Sequence, residues 1–218
     1  MERYFILDKF NTWFDFHSII TDKDIPDPEP NTNYVKLDGM DGSLDLSESL
    51  TGEVTYSDRT LTASFWTDYG KRKDREELLR RVSSSLHGKK VQIIEPDDSE
   101  HYLLGRIKVK GKKNNLAYAT YGIEAVCEPW RYSLTETVRR ISVNSDDMVD
   151  FIFRNTGVKT VTPVITVEGD VNITCGENSV SLGTGSYKVS DIKLYQGTNI
   201  ISVSGSGTVT FTYREATL

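Results

Sequence analysis

The sequence has few of the residues from which crosslinks and metal sites are built. Its 218 residues include two cysteines and three histidines. Cys127 and Cys175 have no second cysteine nearby, so we expect two buried thiols in a reducing compartment and no disulfide. His17, His87 and His101 are isolated from one another and from the cysteines, so a zinc site has no sequence support. A chain of this length can bury a sizeable core without such crosslinks.

Long apolar runs are also missing. No segment approaches the roughly 18 residues that a transmembrane helix needs. The opening MERYFILDKF contains a short apolar run closed by Asp8 and Lys9, which is unlike a secretory leader. We therefore expect no signal peptide and no membrane partner.

A basic excess is absent from both halves of the chain. Lys and Arg number 21 against 24 Asp and Glu in residues 1–140, and 5 against 8 in residues 141–218, which gives the net charge of −6. The densest basic segments, Lys108–Lys113 and Lys71–Lys73, have no interleaved aromatic residues for stacking bases. We expect solvated surface charge and no specific nucleic-acid binding.

Catalytic motifs are missing as well. No G-x-S-x-G segment lies between a strand and a helix, which argues against a serine nucleophile. Asp38, Asp41 and Asp45 crowd one turn, but their spacing does not follow an EF-hand, and turn chemistry explains them. The sequence predicts no catalytic, cofactor or metal site, and we expect that the protein is not an enzyme. A glycosidase pair among the many carboxylates stays open as a less favoured alternative.

The most informative stretch present is Tyr34–Trp66. It predicts a short strand, a turn that contains two Asp-Gly pairs, a second strand, a polar loop and a long strand. Gly accepts a positive φ and Asp bonds its own backbone, so Asp38-Gly39 and Asp41-Gly42 can reverse the chain tightly. The long strand alternates, which predicts an antiparallel sheet with one face on a core. The residues predicted to face inward are Val54, Tyr56, Leu61, Ala63 and Phe65, and those predicted to face outward are Thr60, Thr62, Ser64 and Trp66.

One substantial helix is predicted over Lys71–Gly88. Leu78, Leu79, Val82 and Leu86 recur at helical spacing. Asp74 and Glu77 are spaced as a capping box, and Gly88 is placed to end the helix in a left-handed conformation.

Beyond Arg140 the helical pattern stops and short β runs repeat. They include Val149–Phe153, Val161–Val167, Val171–Cys175, Asn199–Ser204 and Thr208–Arg214. The triplets Gly183-Thr184-Gly185 and Gly205-Ser206-Gly207 read as turns between strands. This pattern predicts an antiparallel sandwich of the jelly-roll kind.

Three segments carry a resemblance to a known family. They are LDGMDGSLDLSESLTGEVTYSDRTLTASF, the helix followed by a hairpin that ends in EPWRY, and the closing segment KLYQGTNIISVSGSGTVTFTYREATL. Together they are similar to distal tail proteins of siphophages and related prophages.

The resemblance implies a mainly β fold in two domains. An N-terminal β-sheet or barrel domain with one helix, residues 1–136, would form a ring. A galectin-like or carbohydrate-module-like β-sandwich, residues 137–218, would follow. The implied function is a structural hub of the tail tip, a homo-oligomer of six copies that joins the tail tube protein to the baseplate and leaves a channel for DNA. Synthesis would take place in the cytoplasm of a bacterial host.

The ring-forming region is predicted to include Asp38, Gly39, Asp41, Gly42 and Trp66, because strand edges and an outward-facing tryptophan offer surfaces for contacts between copies. The alternative to a structural tail protein is a carbohydrate-binding module that recognises cell-wall glycans. Residues 141–218 contain no tryptophan, and several of their aromatic residues alternate into the predicted core.

Overall fold

The computed structural model describes residues 4–218, so Arg3, the first residue of a strand predicted at Arg3–Leu7, lies outside the described residues. The chain forms two compact units, of which the first runs to Pro129 and the second is Trp130–Thr217. The predicted mainly β fold with one helix is confirmed for the described residues. The assignment of domains to residues 1–136 and 137–218 stays a prediction.

The first unit contains one large sheet, one helix and a small separate ribbon. Its elements are β1 Ile6–Leu7, β2 Phe10–Asn11, β3 Ile19–Asp24, β4 Tyr34–Val35, β5 Leu44–Asp45, β6 Arg59–Thr67, α1 Arg72–Leu86, β7 Lys90–Glu95, β8 Asp98–Asn114 and β9 Ala119–Ser133. The large sheet has the order β2-β1-β7-β8-β9-β6-β3, and β4 pairs only with β5. Apart from the end of β9, which continues past Pro129, these elements lie in the first unit.

The core of this unit follows the predicted alternation of β6. Leu61, Ala63 and Phe65 are buried, whereas Trp66 is half-buried on the other face. Phe65 stacks on Tyr121 of β9 with ring centroids 4.9 Å apart. The predicted strand was too long, because β6 begins at Arg59 and leaves Val54 and Tyr56 outside it.

The predicted helix is present as Arg72–Leu86, and its four predicted apolar residues are buried. Its cap differs from the prediction. The Asp74 carboxylate accepts from the backbone N–H of Lys71 at 2.8 Å, so Asp74 occupies the third helical position and Lys71 precedes the helix. Gly88 has the predicted positive φ, +79°, but it donates its N–H to Ile107 of β8.

Arg75 anchors the turn between β8 and β9. It is buried to 2% exposure, and its guanidinium donates to the carbonyl oxygens of Gly70 at 2.7 Å, Leu116 at 2.8 Å and Asn115 at 3.2 Å. Because buried carbonyls need donors, a single cation here fixes the helix start and the hairpin turn together.

The second unit is built on one curled antiparallel sheet. Its elements are β10 Thr137–Asn155, β11 Val164–Cys175, β12 Asn178–Leu182, β13 Gly185–Lys188, β14 Gly197–Tyr213 and β15 Ala216–Thr217. The sheet order is β10-β14-β11-β12, with β13 also on β11, and β15 pairs with the end of β9. Phe153 and Phe211 meet edge to face in its core at 4.8 Å.

The prediction that Gly205-Ser206-Gly207 forms a turn was wrong, and so was the division of β11 and β14 into shorter strands, while β10 extends well beyond the predicted strand Val149–Phe153. These glycines lie inside β14, where Gly207 pairs with Gly169 of β11. A Cβ at Gly205 would overlap the Asp170 carbonyl oxygen. The glycines therefore mark a bend where two backbones approach closely, while the strand continues.

Candidate assembly interface

The turn singled out in the sequence lies in a β-arm, which we define as residues 31–55. The arm leaves the large sheet of the first unit after β3 and returns to it before β6. Its base is an isolated bridge between Pro30 and Tyr56, supported by a hydrogen bond from Asn31 N–H to the Thr55 carbonyl at 2.8 Å. Its outer part is the ribbon β4–β5, where Tyr34 pairs with Asp45 and Val35 with Leu44.

Gly39 and Gly42 reverse the chain between β4 and β5. Their φ angles are +83° and +82°, as the Asp-Gly pattern predicts. A Cβ at either residue would meet no atom within 4 Å. These two glycines are therefore required by backbone conformation and not by close packing.

The arm exposes apolar side chains on both faces of its ribbon. Tyr34 is 61% exposed and Leu44 is 41% exposed, and the pairing register puts them on opposite faces. Leu37, Met40 and Leu50 are also exposed, Leu50 to 98%. Of the four ribbon residues Tyr34, Val35, Leu44 and Asp45, only Val35 is partly buried, so residues 4–218 leave most of both faces of the ribbon open. Exposed apolar residues in such a group are typical of a contact surface.

The charge of the arm is predominantly negative. Between residues 31 and 55, one cation, Lys36, stands against five carboxylates, Asp38, Asp41, Asp45, Glu48 and Glu53. The hydroxyl and N–H of Ser47 bond the Asp45 carboxylate and lower the pKa of Asp45. The arm is thus an acidic ribbon at neutral pH.

Trp66, the other residue assigned to the interface, lies on β6 and so on a different element from the turn. Its ring is 6.4 Å from that of Tyr118, which is 40% exposed. On the same face of the sheet Glu124 pairs with Lys110, and this bond lowers the pKa of Glu124. The assignment of Asp38, Gly39, Asp41, Gly42 and Trp66 to a ring-forming region stays a prediction.

A cavity of about 250 Å³ lies beside the first turns of α1. His17, with a φ of +47°, stacks its ring on Tyr69 at 4.1 Å and forms one wall. The other lining residues are Asp74, Glu77, Leu78 and Arg81. The sequence did not single out this cavity, since its walls come from separate segments.

Among residues 4–218, no group of three or more His, Cys, Asp or Glu side chains is arranged to hold a metal ion. Within the same residues no helix is long and apolar enough to cross a membrane. Cys127 is buried and its thiol donates to the Ala125 carbonyl, whereas Cys175 is only partly buried, which corrects the expectation of two buried thiols.

The second unit exposes little aromatic surface of the kind that stacks on sugars. Of its aromatic residues beyond residue 141, Phe153, Phe211 and Tyr213 are buried, and Tyr195 is 58% exposed. A cell-wall carbohydrate partner therefore stays a prediction that the described side chains do not specifically favour.

The chain belongs to a fold class with two β-rich units. The first is a sheet-and-helix unit with a projecting β-arm, and the second is a curled β unit. This is the fold of the SPP1 Dit (gp 19.1) protein, whose crystal structure is described as a paradigm of the hub adsorption apparatus in phages that infect Gram-positive bacteria. The similarity has a TM-score of 0.71 at 14% sequence identity and covers 100% of both chains. The expected resemblance in fold is confirmed. No family model and no curated protein matches the sequence.

Proposed function

We propose that this protein is a structural component of a phage tail tip, a homo-oligomeric ring of six copies that joins the tail tube protein to the baseplate and leaves a channel for DNA. The proposal rests on one observation above the others. The arm carries large apolar side chains on both faces, and residues 4–218 leave Tyr34 and Leu44 on those faces exposed. An arm of this kind is explained when a second molecule covers it.

The fold supports the same conclusion. The chain has the whole-length fold of a protein described as part of a phage hub. A ring follows from contacts in which one surface of a copy meets a different surface of the next, provided the rotation closes. An arm that projects from one edge of a unit supplies one of the two surfaces of such a contact.

We propose no enzymatic role. Buried charge is held in structural contacts such as those of Arg75, and the cavity beside α1 is lined by mixed charges without a nucleophile and base in contact. The virion tail tip is the proposed location.

Electron microscopy of the purified full-length chain tests the proposal. We expect annular particles of uniform size, with a mass by light scattering of about six chains. A chain that remains monomeric up to its highest soluble concentration would contradict the proposal.

A further inference from the structure

We propose that the acidic arm of one copy docks on the basic exposed side of α1 in the next copy. This inference deepens the ring proposed above and rests on it. It names the two surfaces that meet, the arm of residues 31–55 and the α1 surface of residues 71–81 with the neighbouring cavity.

The two surfaces have opposite charge. The arm carries one cation and five carboxylates, a net charge of −4. Without the buried Arg75, residues 71–81 present five cations, Lys71, Arg72, Lys73, Arg80 and Arg81, against three carboxylates, Asp74, Glu76 and Glu77, a net charge of +2. Opposite net charges on two surfaces steer them together and fix their register.

The charged groups on both surfaces are available for a partner. Lys73 and Arg80 are exposed and have no ion-pair partner among residues 4–218. Asp38 and Asp41 at the tip of the arm are likewise exposed and have no such partner in that part of the chain. By contrast, the carboxylates on the helix are partly occupied, since Asp74 accepts from Lys71 N–H and Glu76 from Asn114. Within the described residues, Glu77, which lines the cavity, is the exposed carboxylate of this surface without such a bond, and the cations outnumber it.

The mostly polar cavity beside α1 also has room for a side chain of the arm. The cavity beside α1 has Leu78 among its lining residues and the stacked rings of His17 and Tyr69 as a wall, and its volume of about 250 Å³ exceeds that of one large side chain. Tyr69 is itself 45% exposed. A leucine, methionine or tyrosine from the arm would fill this cavity while the carboxylates of the tip meet Lys73 and Arg80.

Charge reversal tests the contact directly. One variant carries Asp38→Lys and Asp41→Lys, and a second carries Lys73→Glu and Arg80→Glu. We expect each variant alone to be folded and to associate roughly 10-fold or more weakly than the unmodified chain at low salt, because attraction becomes repulsion. The matched control reverses two exposed carboxylates of the second unit, Glu177→Lys and Asp191→Lys, and should assemble like the unmodified chain.

An equal mixture of the two variants gives the sharpest result. The reversed arm of the first variant fits the reversed helix of the second, and the unchanged arm of the second fits the unchanged helix of the first. Alternating rings should therefore form from two chains that do not assemble separately. Such alternation requires an even number of copies, which a ring of six satisfies.

Three outcomes separate this inference from the proposed function. Recovery of annular particles in the mixture supports both. If the unmodified chain forms rings but the reversed variants assemble equally well, or the mixture does not recover, the arm does not dock on α1 and only this inference falls. If the unmodified chain forms no rings, the proposed function falls and the inference falls with it.

Discussion

Two hairpins of the first unit, the arm ribbon β4–β5 and the long hairpin β8–β9, use their side chains in different ways. In β8–β9, Ile107, Tyr121 and Ile123 are buried in the core, and Arg75 holds the turn through its carbonyl oxygens. In the arm, Tyr34 and Leu44 are exposed on opposite faces. Similar strand patterns thus serve folding in one hairpin and present a surface in the other.

This difference means that stability and assembly should be separable by mutation. A two-stranded ribbon without a covered face contributes little to the free energy of unfolding. Substitutions in the arm should therefore change association and leave the unfolding transition of the chain in place. Substitutions of buried residues in β8–β9 or in α1 should do the reverse.

The largest expected loss of stability follows substitution of a glycine that packs against a neighbouring strand. Substitution of an arm glycine with no atoms nearby should cost much less. Gly205→Ala should destabilise the second unit by roughly 3–5 kcal/mol, because the new methyl overlaps the Asp170 carbonyl oxygen at a φ of +111°. Gly42→Ala should cost about 1 kcal/mol or less, since only its φ of +82° is unfavourable. Urea unfolding followed by circular dichroism measures both. Equal losses would contradict the contrast.

Removing the Arg75 guanidinium should destabilise the first unit by about 3 kcal/mol, since three carbonyl oxygens lose a charged donor. The measurement is the urea midpoint of Arg75→Ala. Arg80→Ala, on an exposed position of the same helix, is the control and should stay within about 0.5 kcal/mol of the unmodified chain.

Shortening an apolar side chain should have opposite consequences in the two hairpins. Ile107→Ala should cost about 2–5 kcal/mol, because Ile107 is 1% exposed in the core. Leu44→Ala should cost less than about 0.5 kcal/mol while weakening assembly. Thermal unfolding and light scattering on the same samples provide the test. If Leu44→Ala and Leu50→Ala were both stable and both fully assembled, the arm would not be part of the interface.

A bulky residue at the arm tip should change assembly while the strain it causes stays local to the arm. Gly42→Val puts a β-branched residue at a φ of +82° and should strain the arm tip by about 1–3 kcal/mol. Because the arm is not part of the core, we expect the main unfolding transition to keep its midpoint and the annular particles to disappear. Retained particles would show that the tip geometry is not used.

Much of this fold could be predicted from the sequence where a pattern has one structural solution. The leucine spacing of α1 and the alternation of β6 both bury the residues predicted. The continuation of β14 through Gly205 and Gly207 could not be predicted, because glycine marks a turn or a bend equally well until the neighbouring strand is known. Whether a core lies beneath the short strands of the arm could not be predicted for a related reason, since a strand pattern is the same whether or not another layer covers it.

Analytical ultracentrifugation of two chains tests most directly whether the arm joins copies. The first is the unmodified chain, and in the second an Asn-Gly turn replaces residues 32–54. We predict that both unfold at the same denaturant concentration, that the unmodified chain sediments as a ring, and that the shortened chain sediments as a monomer. A shortened chain that forms the same ring would contradict the account.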